Sequence, residues 1–197
     1  MPCFYPRQVW YSKFLTKIGK RKLAFKKEDA LCGGINSFFI SCRLCIGCRL
    51  EYSRQWAIRC MHEASLHESN SFITLTYNPA NLPKDGSLNT KVFQGFMKRL
   101  RSRLDVNGIK IRFFMCGEYG DKYGRPHYHA CIFGYDFPDK VFLKKRNGYP
   151  LFRSPLLEEC WTEGYSSVGT LTFESAAYVA RYVTVKAYGE KAFERYA

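Results

Sequence analysis

The stretch "RPHYHACIFG" (residues 125–134) places two of the chain's four histidines on either side of one tyrosine. Its β-branched and apolar content reads as a buried strand. In a strand, residues two apart point to the same face. His127 and His129 therefore project together, with Tyr128 on the opposite face. Two adjacent imidazoles can chelate a cation, but two ligands hold a divalent ion poorly. A carboxylate from a neighbouring strand would complete a three-ligand face and leave positions open for a substrate oxygen. The preceding "IKIRFFMCGEYG" (residues 109–120) reads as a second strand that ends on Glu118. "YGDKYGRP" (residues 119–126) can turn the chain back antiparallel. Glu118 is thus the first candidate for the third ligand, and Asp121 the second.

The rest of the chain fits this pair of strands. "INSFFIS" (residues 35–41), "SFITLTY" (residues 71–77) and "YSSVGTLT" (residues 165–172) read as further strands. Helical patterns cover residues 49–68, with Leu50, Trp56, Cys60, Ala64 and Leu66 as the stripe. They also cover residues 90–105, with Phe93, Phe96, Leu100 and Leu104 inward. A short helix fits residues 154–164. A last one fits residues 173–189, with Thr172 as N-cap. Short turns between strands predict an α+β fold, an antiparallel sheet with flanking helices. The division expected is a basic, cysteine-rich segment over residues 1–48 and a main domain over residues 49–197.

The final helix carries "YVARYVTVK", with Tyr178, Tyr182 and Lys186 at i, i+4 and i+8 on one stripe. A phenol with a reference pKa of about 10 needs help to act as a nucleophile. A cation on a phosphate, with Lys186 adding charge neutralisation, would supply it.

Lys+Arg number 31 against 17 Asp+Glu, a formal net charge of +14. With 17% aromatics this favours a nucleic-acid partner and argues against disorder. Arg125 and the helix cations Lys98, Arg99, Arg101 and Arg103 are candidate DNA contacts. "KIGKRKLAFKK" (residues 17–27) is a basic hairpin or phosphate-contacting arm. There is no run of 18 apolar residues, which predicts no membrane span, and the start lacks an apolar export block. Nine cysteines, an odd number, fit reduced thiols and a metal better than disulfides. "CRLCIGC" supplies Cys42, Cys45 and Cys48, one thiolate short of a closed zinc site. Cys3, Cys32 and Cys60 are the candidate fourth ligands. Cys116, Cys131 and Cys160 sit in apolar contexts and read as core.

"RPHYHACIFG" resembles the His-hydrophobe-His motif of the HUH endonuclease superfamily, and "FITLTY" resembles its first motif. "AAYVARYVTVK" is similar to the paired-tyrosine motif of rolling-circle initiators of small single-stranded DNA phages. "PCFYPRQVW" and "CIGCRLEYSRQWAIRCMHEASLHE" further resemble the replication initiators of gokushovirus-type microviruses. The likeness runs from near the start to about Gly189. It implies an RRM-like antiparallel sheet with the histidines on a central strand, and a metal-dependent nickase. In that reading Glu118, His127 and His129 hold Mg2+ or Mn2+. Tyr178 and Tyr182 attack origin single-stranded DNA in turn, leaving a 5′-phosphotyrosine and a free 3′-hydroxyl, and then transfer and rejoin the strand. The pattern often has two lysines after the second tyrosine; Val185 holds the first position here and Lys186 the second. The "PC" start makes Cys3 the first choice as fourth ligand to a structural Zn2+. A host polymerase and helicase are the implied partners, in the cytoplasm of a bacterial host. Initiators of this kind are often longer, which implies an excised catalytic domain. A non-catalytic RRM-like nucleic-acid binder is the alternative expectation.

Overall fold

Among the described residues nine strands, rather than the five expected from sequence, organise the protein. The computed structural model describes residues 3–120, 123–146 and 148–184. In chain order these are β1 (Arg7–Leu15), β2 (Arg21–Ala24), β3 (Ser37–Ile40), α1 (Ile46–Ala64), β4 (Asn70–Tyr77), α2 (Thr90–Asp105), β5 (Arg112–Tyr119), β6 (Pro126–Phe133), β7 (Val141–Arg146), β8 (Tyr149–Arg153), α3 (Pro155–Cys160), β9 (Gly164–Thr170) and α4 (Phe173–Thr184). They fall into two compact units, Met1–Glu51 and Tyr52–Ala197.

The first unit holds a three-stranded antiparallel sheet in the order β2-β1-β3. The basic stretch at residues 17–27 contains β2 and the turn before it. The Thr16 and Lys20 backbone groups close that turn at 2.7 Å.

The second unit is a six-stranded sheet in the order β5-β6-β4-β9-β8-β7, antiparallel throughout. Alternation along the strands gives it two faces. On one face, Ile73, Leu75, Tyr128, Ala130, Ile132 and Val168 pack against Phe93, Phe96, Met97, Leu100 and Leu104 of α2 and Leu157 and Cys160 of α3. On the other, Cys116, Cys131 and Phe133 pack against Ala57, Cys60 and Ala64 of α1 and Ala176 and Val179 of α4. Burying such side chains contributes about 1.5–3 kcal/mol each. Cys116, Cys131 and Cys160 are core residues, as expected.

Helix ends follow local chemistry. Asn89 caps α2 by accepting from the Lys91 N–H at 2.9 Å. Thr172 accepts from the Ser175 N–H at 3.3 Å, and the Ser175 hydroxyl accepts in return from the Thr172 N–H at 2.9 Å. These are the two halves of a capping box that aims α4 across the sheet. One expectation is corrected. α1 begins three residues before the expected start at residue 49 and stops at Ala64, so Leu66 is exposed and no part of the stripe. Two hydrogen bonds, from Ser65 N–H to Met61 and from Leu66 N–H to Glu63, close the helix. Tyr128 sits on the dry α2 face. Its hydroxyl donates to the Asn89 carbonyl at 2.8 Å, accepts from the Asn89 N–H at 3.2 Å and meets the Tyr77 hydroxyl at 3.1 Å.

Candidate metal and tyrosine site

Register assembles the site. Glu118 of β5 lies opposite His127 of β6, and Cys116 opposite His129. All three candidate ligands therefore share the α4 face. One carboxylate oxygen, Glu118 Oε2, lies 3.6 Å from His127 Nε2 and 3.4 Å from His129 Nε2. The three ligand atoms lie within 4.8 Å of one another. Asp121, the second candidate, lies outside the described residues.

Each imidazole is set by a partner on its other nitrogen. His127 Nδ1 lies 3.1 Å from the Arg125 carbonyl. A carbonyl can only accept, so Nδ1 donates there and Nε2 is the nitrogen turned toward Glu118. His129 Nδ1 meets the Thr74 hydroxyl at 2.9 Å, directly across the β4–β6 register. Phe72 stacks on the His129 ring with centroids 5.5 Å apart. Thr74 was missed by sequence reading. The available signal was a polar residue on the inward side of a strand otherwise rich in apolar residues.

α4 brings the phenols. The Tyr178 hydroxyl donates to both Glu118 oxygens, at 3.0 and 2.8 Å, and its ring stands edge-on to His129 at 5.1 Å. The Tyr182 ring lies 4.9 Å from that of Tyr178, as expected one turn on. Lys186, the third member of that stripe, lies outside the described residues.

Electrostatics follow from burial and partners. Glu118 is only 5% exposed. Burial works against its charge, but hydrogen bonds from His129, Tyr178 and Tyr182 outweigh that and hold the carboxyl below its usual range. Burial, then the hydrogen bond to Glu118, pushes the Tyr178 phenol up, so it holds its proton toward the carboxylate. His129 is pushed down, first by burial and also by the charges of His127 and Arg146, and presents a neutral ring. A buried carboxylate and two imidazoles that both turn Nε2 toward it are a donor set that fits a divalent cation.

The candidate DNA-contacting cations are not gathered here. Arg125 donates to the Tyr77 carbonyl at 3.0 Å, while its own carbonyl serves His127. α2 lies on the opposite face of the sheet. There Arg99 donates to the Cys160 carbonyl at 2.8 Å, Arg101 lies over Phe113 and Arg103 pairs with Glu159. Lys98, exposed, lines a shallow cleft with Arg99 and Arg103.

In the first unit, Cys3, Cys42, Cys45 and Cys48 bring four sulfurs within 4.8 Å of one another. Two Sγ pairs, Cys42–Cys48 and Cys3–Cys45, stand at 3.9 Å. That is close to the edge of about 3.8 Å implied by a tetrahedron with metal–sulfur bonds of about 2.3 Å. Backbone N–H groups already point at the sulfurs: Cys42 to Cys3 at 3.2 Å, Cys45 to Cys42 at 3.3 Å and Phe4 to Cys45 at 3.4 Å. Such donors, from Cys48 and then Phe4, push the Cys45 thiol down to about 6. Burial first, then neighbouring thiols, push Cys48 up to about 12. Arg43, inside this turn, adopts a left-handed φ of 61°, a conformation that costs a non-glycine residue about 1–2 kcal/mol. Of the other candidates, Cys32 is exposed and Cys60 is buried in the α1 core, and neither joins the four.

Residues 70–187 match the family model for replication-associated protein ORF2/G2P. The chain is 38% identical over 156 residues to replication-associated protein VP4 of Bdellovibrio phage phiMH2K, covering 76% of this chain and 49% of that protein. It is 33% identical over 198 aligned positions to replication-associated protein ORF2 of Spiroplasma virus 4, covering 94% and 61%. It is 38% identical over 156 residues to replication-associated protein ORF4 of Chlamydia phage 1, covering 76% and 39%. The chain thus spans about half the length of the curated relatives it matches. No solved structure matches it. The segment matched by the family model takes in the carboxylate, both imidazoles and both tyrosines, and the chain belongs to the replication-associated protein ORF2/G2P family.

Proposed function

We propose that the protein initiates replication by nicking single-stranded DNA at an origin and later rejoining it. The observation that carries this reading is the Tyr178 hydroxyl, 2.8 Å from a carboxylate that is itself 3.4 and 3.6 Å from two imidazole nitrogens. Glu118, His127 and His129 would hold Mg2+ or Mn2+. A cation bound there supplies Lewis-acid stabilisation of the charge that builds up on a scissile phosphate. Tyr178 Oη attacks phosphorus and gives up its proton in the direction of Glu118. The bond to the 3′ oxygen breaks, and that oxygen leaves and is protonated as a free 3′-hydroxyl. The 5′ phosphate stays on the tyrosine. Tyr182, one turn away, can repeat the step on a second strand, and attack by a 3′-hydroxyl on the phosphotyrosine rejoins the DNA. A phosphodiester is exchanged for another at each step, so no nucleotide cofactor is consumed. A host polymerase extending the 3′-hydroxyl and a host helicase are the partners this implies, in the bacterial cytoplasm. Among the described residues no helix is long and apolar enough to cross a membrane.

In the first unit the four thiols would take Zn2+ as a structural ion, all four positions being filled by protein.

The test is incubation with single-stranded origin DNA and Mn2+, followed by denaturing electrophoresis. Wild type yields a covalent adduct that EDTA abolishes. A Tyr178→Phe/Tyr182→Phe protein yields none, and an adduct of undiminished yield from it would sink the reading. The alternative of a non-catalytic RRM-like binder predicts EDTA-insensitive binding without cleavage. It finds less support, because helices pack on both faces of the sheet.

A further inference from the structure

The β7–β8 hairpin forms one edge of the six-stranded sheet, and every residue of β7 is exposed. Its sequence, VFLKKR, is half apolar and half cationic. Nearby cations are committed: Lys140 to Asp136 at 2.5 Å and Arg153 to Glu158 at 2.6 Å. Among the described residues, Lys144, Lys145 and Arg146 have no carboxylate partner.

A bulge decides where these cations point. Phe142 pairs with Phe152, but Lys144, not Leu143, pairs with Leu151, followed by Lys145 with Pro150 and Arg146 with Tyr149. Cross-strand partners share a face. Phe152 pairs with Val168 and packs on the α2 core, so it marks that face. Leu151 lies on the other, against Gly169 and near Phe72, where a Cβ on Gly169 would be 3.5 Å from the leucine. Lys144, Arg146 and Tyr149 follow Leu151 to the α4 face, which carries Glu118, His127 and His129. Without Leu143 as the extra residue, Lys144 and Arg146 would follow Phe142 to the α2 face. Bulges commonly re-aim side chains in this way beside functional sites. Tyr149 is 58% exposed and offers an aromatic ring beside these charges.

We infer that this hairpin is a ribbon that grips single-stranded DNA entering the site, with Lys144 and Arg146 on phosphates and Tyr149 stacked on a base. The inference rests on the nicking reading for its substrate. A strand whose bases are unpaired can offer both a phosphate run and a π-face to a cation–aromatic ribbon, which is how sequence-tolerant strand binding is built.

The test is fluorescence anisotropy with a labelled single-stranded oligonucleotide over a salt series. It uses the full chain carrying Tyr178→Phe and Tyr182→Phe, in EDTA, so that binding is read apart from cleavage. Lys144→Ala/Arg146→Ala should weaken binding about tenfold or more and lower the salt slope by about 1.4, given about 0.7 per phosphate contact on a single strand. Tyr149→Ala should cost about tenfold, with the salt slope unchanged. Lys145→Ala, on the other face, should cost less than threefold. Equal losses per cation on the two faces would reduce the effect to bulk charge and overturn the inference. So would unchanged affinity accompanied by self-association, which would make the cations guards of a sheet edge, or loss of binding to anionic vesicles alone. Failure of wild type to form an adduct in the separate cleavage assay would strike the nicking reading and leave the binding result standing.

Discussion

Two clusters of metal-ready side chains differ in almost every respect. The four thiols of the first unit come from one tight turn plus Cys3. They are held by backbone N–H groups and leave no position for a substrate. The Glu118–His127–His129 set comes from two strands paired in register. Its ligands are positioned by a side-chain hydroxyl and a backbone carbonyl, and it faces two phenols. A closed donor shell suits a metal that holds structure, and an open one suits a metal that works on a substrate. The comparison teaches that donor count and neighbouring groups, rather than ligand type alone, separate the two roles.

The hardest blow to that contrast is His127→Ala. The adduct-forming rate should fall by about 10³-fold or more, since several kcal/mol of charge stabilisation are lost. Circular dichroism and the uptake of added Zn2+ by the four thiols should be unchanged, and joint loss of both would erase the distinction. The cysteine cluster is probed by alkylation of the zinc-free protein. With its thiol pushed down to about 6, Cys45 is mostly thiolate at pH 7 and should be modified before Cys48, whose thiol is pushed up to about 12. Its rate should rise as pH climbs through 6, and added Zn2+ should suppress it. Modification of Cys48 first would break the picture of N–H groups tuning the turn. Thr74→Val keeps the shape but removes the partner of His129 Nδ1, and should cost 10–100-fold in Mn2+ affinity, read by titration. Smallest is Tyr128→Phe, on the far side of the same strand. It should lower stability by about 1–2 kcal/mol in urea unfolding while leaving metal affinity near wild type.

The sequence reading succeeded where period and spacing are local. His-Tyr-His in a strand fixes which residues share a face, and a strand–turn–strand run brings Glu118 beside His127. The capping pattern at Thr172 placed α4, and i, i+4 spacing paired its tyrosines. What escaped depends on partners distant in sequence. Thr74 meets His129 only through the β4–β6 register, and no feature of "FITLTY" names its partner. β1 went unread because "RQVWYSKFL" alternates weakly, with only Val9 and Ser12 buried. The β7–β8 hairpin carried a legible signal, Asn147-Gly148 between two apolar-basic runs, which the reading passed over. Its bulge was not legible, because an extra residue is defined only against a partner strand. The cations of α2 were read from charge alone, and charge does not say which side of a sheet a helix covers.

The hydrogen bonds of Tyr128 have a consequence for how the two sides of the sheet communicate. Its hydroxyl clasps both backbone groups of Asn89, the cap of α2, from the strand that carries both imidazoles. The start of α2 is therefore tied through this phenol to the strand that carries the histidines. A binding partner that tugs the first turn of α2 would pull on that tie, and the strain would arrive at the histidines without anything touching them.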